Sequence, residues 1–201
     1  LLPDEDRRRI LAEHGMAATI ESITRETVAL YEEDDTPWVV GYSGGKDSTA
    51  TLQLVWTALA SLPAEARVKP VHVISTDTLV ENPVVAAWVN RSLQLITEQA
   101  QQQGLPIVAH RLTPKVTDTF WVNLIGKGYP APAPKFRWCT ERLKIKPSNQ
   151  FIRDVVAHHG EVILVLGTRK SESAARGRVM AALEARRVRD RLSPNKNLPN
   201  S

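Results

Sequence analysis

The hexapeptide SGGKDS at residues 43–48 holds residue types that together can bind an anion. It follows the apolar run Trp38–Val40 and precedes a segment with helical periodicity, which is where a phosphate-binding turn between a strand and a helix is expected. Gly44 and Gly45 allow backbone N–H groups to close around an anion, and the helix dipole adds partial positive charge. Lys46 supplies a full charge, and Ser43 and Ser48 supply hydroxyl donors. The alternative is an ordinary glycine-rich turn.

The loop differs from a Walker A motif at two positions. That motif requires glycine where Val40 stands and serine or threonine where Asp47 stands. The sequence instead resembles the PP-loop of the ATP pyrophosphatase superfamily, which holds pyrophosphate as a leaving group. This resemblance implies that ATP is cleaved between its α and β phosphates.

Two further candidate elements follow other apolar runs. Thr76 and Asp77 come after the run 71–75, where the backbone is expected to contact adenosine and Asp77 to orient magnesium. Asn82 is better explained as a helix N-cap before Pro83.

The second of these elements begins at Gly167, after the run 162–166, and contains Arg169 and Arg176. Two arginines near a helix start are suited to bidentate phosphate recognition. The alternative is a structural arginine–glutamate network that involves Glu172.

Cys139 is the only cysteine of the chain, so an intrachain disulfide is excluded. Its basic neighbours are Lys135, Arg137, Arg142, Lys144 and Lys146. These cations are expected to favour the thiolate, the form that transfers sulfur and binds metals. The alternative is a buried structural cysteine. His158 and His159 have no partners at ligand spacing and are expected on the surface, where Gly160 ends a helix.

Strand and helix patterns alternate along the chain. Four apolar runs predict strands at 38–42, 71–75, 107–112 and 162–166, with helices between them and a last helix over 171–191. The alternation predicts an α/β fold, a Rossmann-like parallel sheet with helices on both faces. Ligands of such sheets bind beyond the carboxyl ends of the strands, where the candidate residues fall. The segment 113–135 interrupts the pattern and is interpreted as a lid or substrate-facing loop.

Length and composition suit one soluble domain that lies in the cytoplasm. The chain has 201 residues, 42% of them hydrophobic, and no apolar run long enough for a membrane span. Residues 1–134 carry 11 Lys and Arg against 16 Asp and Glu, whereas residues 135–191 carry 14 against 6, a net +8. This asymmetry suggests that the second half faces a polyanion, although arginines that bind ATP phosphates would also contribute.

Taken together, the motifs resemble the branch of PP-loop enzymes similar to phosphoadenosine-phosphosulfate reductase. The runs 75–83, 118–129, 136–149 and 187–200 further resemble the DNA phosphorothioation sulfurtransferases, namely the Dnd-system C subunit and the related Ssp-system D subunit. The resemblance covers about residues 36–201. It implies an adenine nucleotide alpha-hydrolase-like domain there and a longer chain than this one, which ends in the loop-like stretch 198–201. The alternatives are a chain that is truncated at its C-terminus and a relative without an iron–sulfur cluster. Helical periodicity predicts a separate helical segment at 1–35.

The resemblance also implies the reaction and its partners. ATP with magnesium would adenylate a DNA backbone phosphate, and sulfur from a cysteine desulfurase would then replace an oxygen, within a complex of other phosphorothioation subunits. A 4Fe–4S cluster held by four cysteines is implied too, of which this chain has only Cys139.

Three alternatives remain from the sequence: a sulfonucleotide reductase or related sulfate-assimilation enzyme, a tRNA thiolation enzyme, and a nucleotide-binding assembly subunit without turnover. The residues predicted to be catalytic are Lys46, Asp47, Cys139 and Arg169, with Asp47 as a magnesium ligand and Cys139 as a cluster ligand. The residues predicted to bind nucleotide are Ser43, Gly44, Gly45, Lys46, Asp47, Ser48, Thr76, Asp77, Gly167, Arg169 and Arg176.

Overall fold

The computed structural model describes residues 4–133, 136–185 and 192, with side chains described from residue 15 onward. Several features predicted above lie outside the described residues: Lys135, the run 187–200 apart from residue 192, the last turns of the predicted final helix and the chain end at 198–201.

Four parallel strands form the central sheet, in the spatial order β3–β2–β1–β4. The strands are β1 (Trp38–Gly41), β2 (Val71–Thr76), β3 (Ile107–Leu112) and β4 (Ile163–Leu166). Gly41, the last residue of β1, lies opposite Ile74 of β2 and Leu166 of β4. Because the strands are parallel, the loops that follow them meet at one edge, and the predicted strand positions are confirmed within one residue at each end.

Helices connect and cover these strands. They are α1 (Asp4–Glu32), α2 (Lys46–Ser61), α3 (Pro83–Gln102), α4 (Trp138–Thr140), α5 (Lys146–His159) and α6 (Ala174–Glu184). The predicted cap of α3 is confirmed, since the Val84 N–H donates to Asn82 Oδ1 at 2.9 Å. Gly160 ends α5 with a φ of 85°, and His158 and His159 are exposed there as predicted. Within the described residues, none of the helices combines the length and apolar character of a membrane span.

Two apolar clusters hold helices against opposite faces of the sheet. Successive side chains of β1 point to opposite faces. Val40 therefore packs with Leu59 of α2 in one cluster, whereas Val39 packs with Ile152 and Val155 of α5 in the other. This arrangement confirms the predicted parallel α/β fold with helices on both faces.

The segment after β3 contains short irregular turns. A 3₁₀ turn at Val116–Asp118 is followed by a π-helix at Val122–Gly126. Trp138 Nε1 donates to the carbonyl oxygen of Pro130 at 2.9 Å, and the Trp138 ring stacks on Phe120 with centroids 5.4 Å apart. The segment is thereby fixed to α4.

Candidate functional site

The SGGKDS loop connects β1 to α2, as the sequence predicts. Gly44 has a φ of 73°, in the left-handed region that glycine adopts without strain. The Ser43 N–H donates to Ser48 Oγ at 3.2 Å, and Ser48 Oγ donates to the Gly45 carbonyl oxygen at 2.9 Å. Helix α2 starts at Lys46, and its first turn has N–H groups without intrahelical acceptors. The loop therefore closes on itself while these donors remain available at the start of the helix.

Lys46 and Asp47 occupy the first turn of α2 but have different surroundings. The Lys46 side chain is exposed, and in the described part of the chain it forms no ion pair. Asp47 Oδ2 accepts a hydrogen bond from Arg169 Nε at 3.0 Å. The structure thus brings together Asp47 and Arg169, two predicted site residues that follow different strands.

Gly167 allows the loop after β4 to approach α2 closely. A Cβ at this position would lie 2.6 Å from the Asp47 carbonyl oxygen and 2.7 Å from Thr51 Oγ1. A contact of that kind excludes any side chain without a backbone shift. Gly167 was predicted as a nucleotide-binding residue, and the structure adds that it sets the spacing between the two predicted anion-binding elements.

A cleft of about 560 Å³ opens at the carboxyl edge of the sheet, within the range of about 300–1,000 Å³ typical of small-molecule sites. Six of the predicted residues line it: Ser43, Ser48, Thr76, Asp77, Gly167 and Arg176. The sequence analysis missed further lining residues: Tyr42, Glu81, Arg111, Lys144, Ser148 and Asn149. Arg111 was detectable, because it lies near the carboxyl end of a predicted strand. We call this space the nucleotide cleft, because the sequence predicts that six of its lining residues bind nucleotide.

Asp77 is held by two hydrogen-bond donors. Arg111 Nη2 lies 2.5 Å from Asp77 Oδ2, and the Leu79 N–H donates to Asp77 Oδ1 at 2.8 Å. Burial raises the pKa of Asp77, but the hydrogen bonds from Arg111 and Leu79 outweigh it and leave the pKa below its usual value. With both oxygens engaged, Asp77 positions Arg111 in the cleft wall rather than presenting an open carboxylate to magnesium.

Two other predicted residues also have protein partners. Thr76 Oγ1 lies 3.0 Å from Ser148 Oγ, which links β2 to α5 across the cleft. Arg176 forms an ion pair with Glu172, as expected from the alternative of a structural arginine–glutamate network. Arg176 nevertheless lines the nucleotide cleft, where a phosphate would compete with Glu172 for its guanidinium.

Cys139 lies on α4, half-buried, and is not among the residues that line the nucleotide cleft. Three of the five cations expected to favour its thiolate are engaged elsewhere. Arg142 and Lys146 pair with Asp118 at 2.7 and 3.5 Å, and Lys144 pairs with Glu81 at 3.3 Å. The expectation of a cation-stabilised thiolate is therefore not supported for these three neighbours.

The residues present fit magnesium better than an iron–sulfur cluster. A 4Fe–4S cluster is held by four thiolates, and the chain has a single cysteine. Among the described residues no group of three or more His, Cys, Asp and Glu side chains is placed to hold a metal ion. Magnesium needs only one or two carboxylates when substrate phosphates supply other ligands, and Asp47 beside the loop meets that requirement.

The position of segment 113–135 does not support a lid over the nucleotide cleft, and the other interpretation, a substrate-facing loop, stays a prediction. In the part of the chain that the structure describes, no residue of this segment lines the nucleotide cleft. Thr113, Lys115 and Asp118 instead line a second cleft next to it.

This chain is similar to one family domain, one curated protein and one solved structure. Residues 37–190 match the family model of the phosphoadenosine phosphosulfate reductase domain. The uncharacterized protein MJ0066 of Methanocaldococcus jannaschii is 31% identical over 143 residues, which are 71% of this chain and 25% of that protein. The chain thus spans about a quarter of the length of that curated relative. The U34-tRNA thiolase NcsA from Methanococcus maripaludis, solved with its 4Fe–4S cluster, superposes with a TM-score of 0.48 and 14% identity over 84% of this chain and 52% of NcsA.

Proposed function

The chain belongs to the phosphoadenosine phosphosulfate reductase domain family, and from this premise we propose that it cleaves ATP to AMP and pyrophosphate in a sulfur-transfer reaction. One observation carries the proposal. The SGGKDS loop lines the nucleotide cleft through Ser43 and Ser48. It also carries the exposed ammonium of Lys46, which forms no ion pair among the described residues, beside the free N–H groups of the first turn of α2. This combination suits a pyrophosphate leaving group.

The proposed first step is attack by an acceptor oxygen on the α-phosphorus of ATP. The new bond joins that oxygen to the α-phosphorus, the bond to the oxygen that bridges the α and β phosphates breaks, and pyrophosphate leaves with the electron pair. Lys46 and the backbone N–H groups neutralise the charge that develops on the leaving group. Asp47 would hold magnesium together with the phosphates, and the metal supplies further charge neutralisation there.

The acceptor that we propose is a non-bridging oxygen of a DNA backbone phosphate. The resemblance of the runs 75–83, 118–129 and 136–149 to DNA phosphorothioation sulfurtransferases supports this acceptor, as does the net charge of +8 over residues 135–191. The terminal sulfur of a persulfide would then bond to phosphorus as AMP leaves, and a thiol would cleave the remaining sulfur–sulfur bond. A cysteine desulfurase, further subunits of the same system and a cytoplasmic location complete the proposal.

A second candidate function is chemistry on a sulfonucleotide, which the name of the matched family favours. In that reaction the nucleotide itself carries the sulfur, so pyrophosphate is not released. The two functions therefore differ in their products.

Product analysis distinguishes these functions. We would incubate the protein with ATP labelled at the α or the γ phosphate, with and without DNA, and separate the products. The expected result is labelled AMP and pyrophosphate, formed faster with DNA. ADP and phosphate as products would contradict the proposal. In a parallel incubation with a sulfonucleotide and a dithiol reductant, reduction of the sulfonucleotide by the dithiol without pyrophosphate release would establish the second candidate.

A further inference from the structure

A second cleft, of about 610 Å³, lies beside the nucleotide cleft. The end of β3, the segment after it and the start of α5 enclose it. Its lining includes the polar residues Arg111, Lys115, Asp118, Lys146, Asn149 and Arg153. We call it the basic cleft.

The two clefts share a wall. Arg111 and Asn149 line both of them, and Asp77 of the nucleotide cleft fixes the Arg111 guanidinium through the 2.5 Å ion pair. A chain of phosphates that lay in the basic cleft would therefore reach the nucleotide cleft at Arg111.

The basic cleft has an excess of positive charge. We count the charged residues that line the cleft together with their ion-pair partners. The cations are Arg111, Lys115, Lys127, Arg142, Lys146 and Arg153. The carboxylates are Asp77, Asp118, Glu141 and Asp154, so two positive charges remain. Lys115 and Arg153 are exposed and form no ion pair within the described residues. Those two side chains are free to bind an anion.

Asp118 holds the other cations in place. It accepts from Arg142 Nη1 at 2.7 Å, and the ammonium groups of Lys127 and Lys146 lie 3.6 and 3.5 Å from its oxygens. Burial raises the pKa of Asp118, but these three cations outweigh it and keep the pKa below its usual value. The carboxylate thus stays ionised and orients its cations at neutral pH.

We propose that the basic cleft binds the phosphodiester backbone of the acceptor nucleic acid and delivers one phosphate to the shared wall. This inference rests on the proposed function, because only an acceptor must meet the α-phosphate of ATP. Lysine and arginine contacts to phosphates position a nucleic acid without reading its sequence. Lys115 and Arg153 are the positioning residues for the backbone, and Arg111 marks where the reacting phosphate meets the nucleotide.

The test compares the double variant Lys115→Glu/Arg153→Glu with the matched control Arg25→Glu/Arg91→Glu. Arg25 and Arg91 are exposed and line neither cleft. Binding of labelled DNA, and of RNA of the same sequence, is measured between about 50 and 200 mM salt, where phosphate contacts have their largest effect. ATP affinity and pyrophosphate release without acceptor are measured on the same samples.

We expect the Lys115→Glu/Arg153→Glu variant to bind the acceptor about ten-fold or more weakly, with the salt slope reduced by about two. Its ATP affinity should equal that of the control, and the neutral changes Lys115→Gln and Arg153→Gln should give smaller losses in the same direction. A loss seen with RNA alone would support the cleft and assign it to an RNA backbone.

Two outcomes separate the inference from the proposed function. Acceptor affinity equal to that of the control would overturn the inference even if the wild type makes AMP and pyrophosphate, and so would a wild type that binds neither DNA nor RNA. A wild type that binds DNA through this cleft but makes no AMP would overturn the proposed function alone.

Discussion

Lys46 is the cation of the SGGKDS loop, beside which the leaving group is proposed to lie. Its side chain is exposed at the first position of α2, so its removal should leave folding intact. We expect Lys46→Ala to slow pyrophosphate release by about 10²-fold or more, the scale seen when a preorganised electrostatic group is lost. The measurement is the rate of pyrophosphate release at saturating ATP, with Arg91→Ala as a control of similar exposure. A wild-type rate in Lys46→Ala would remove the lysine from the mechanism.

The ion pair between Asp47 and Arg169 allows a test of function against stability. Both side chains are partly exposed, at 32% and 49%, so the pair should contribute only about 0–1 kcal/mol to the free energy of unfolding. Asp47→Asn should therefore unfold at nearly the wild-type urea concentration but require more magnesium for ATP cleavage. Titrations of magnesium for the wild type, Asp47→Asn and Arg169→Ala measure this requirement. An unchanged magnesium requirement in Asp47→Asn would show that the carboxylate serves only to bind Arg169.

The sequence alone was sufficient to predict features that depend only on neighbouring residues in the chain. The SGGKDS loop and the Asn82 cap depend on neighbours within a few positions, and both are found where they were predicted. By contrast, Arg111 donates to Asp77, which lies 34 positions away in the chain, and Arg169 donates to Asp47, which lies 122 positions away. Such pairs depend on the order of the strands in the sheet. The sequence could therefore predict that these residues lie at the carboxyl edge of the sheet, but not which of them form pairs.

At the scale of elements, the approach of the β4 loop to α2 depends on Gly167. We expect Gly167→Ala to lower the free energy of unfolding by about 1–3 kcal/mol, because the Cβ would overlap backbone atoms of Asp47. Gly126→Ala is the matched control, since its Cβ would have only Val122 Cγ1 nearby, at 3.9 Å. Urea unfolding measures both, and equal stability of the two variants would contradict the close approach.

Two histidine side chains, one from β2 and one from β3, contact each other across the sheet. His72 Nδ1 lies 3.1 Å from His110 Nε2, and both rings contact Phe151. Burial lowers the pKa of both rings below 6.5, and for His72 the neighbouring His110 and His159 lower it further. The unfolded state then binds more protons below that pH, so the stability present at neutral pH is lost as the pH falls from about 6.5.

We expect the free energy of unfolding to fall more steeply with decreasing pH in the wild type than in a variant without the histidine pair. The free energy of unfolding should fall between about pH 7 and 5 in the wild type, and less so in His72→Gln/His110→Gln. Urea unfolding at several pH values gives both slopes, with His158→Gln as a control because that ring is exposed. Identical slopes in all three proteins would place the titrating groups elsewhere.

The elements themselves were largely predictable, and the segment after β3 was not. Alternating strand and helix periodicity located the sheet, because buried parallel strands need continuous apolar runs. The segment 113–133 has no such period. Arg142 and Trp138, which come later in the chain, bind Asp118 and Pro130 on either side of its π-helix. Its prolines and aromatics indicated a special segment, but not which cleft it would line.

At the scale of the whole molecule, the positive surface of the fold does not coincide with the basic second half of the sequence. Several cations of the basic second half are paired with carboxylates, among them Arg142, Lys144, Lys146, Lys170 and Arg176. The basic cleft combines Arg153 of that half with Arg111 and Lys115 of the acidic first half. Charge counted along the chain therefore suggested a polyanionic partner but did not locate its surface.

Cys139 is the residue through which the proposed function would connect this chain to a sulfur donor. It is the only thiol of the 201 residues, and it lies outside the lining of the nucleotide cleft. One thiolate cannot hold a cubane cluster alone. We therefore expect no 4Fe–4S absorbance from this chain after anaerobic treatment with iron and sulfide.

The final prediction separates the two halves of the proposed reaction. In the complete sulfur-transfer system, Cys139→Ser should abolish sulfur incorporation into DNA, since serine neither ionises near neutral pH nor binds soft iron well. Pyrophosphate release should survive, because the SGGKDS loop and its cleft do not use the thiol. Unfolding by urea checks that serine is tolerated at this half-buried position. Sulfur incorporation at the wild-type level in Cys139→Ser would leave the cysteine with a packing role, and a parallel loss of pyrophosphate release would place it in the adenylation step.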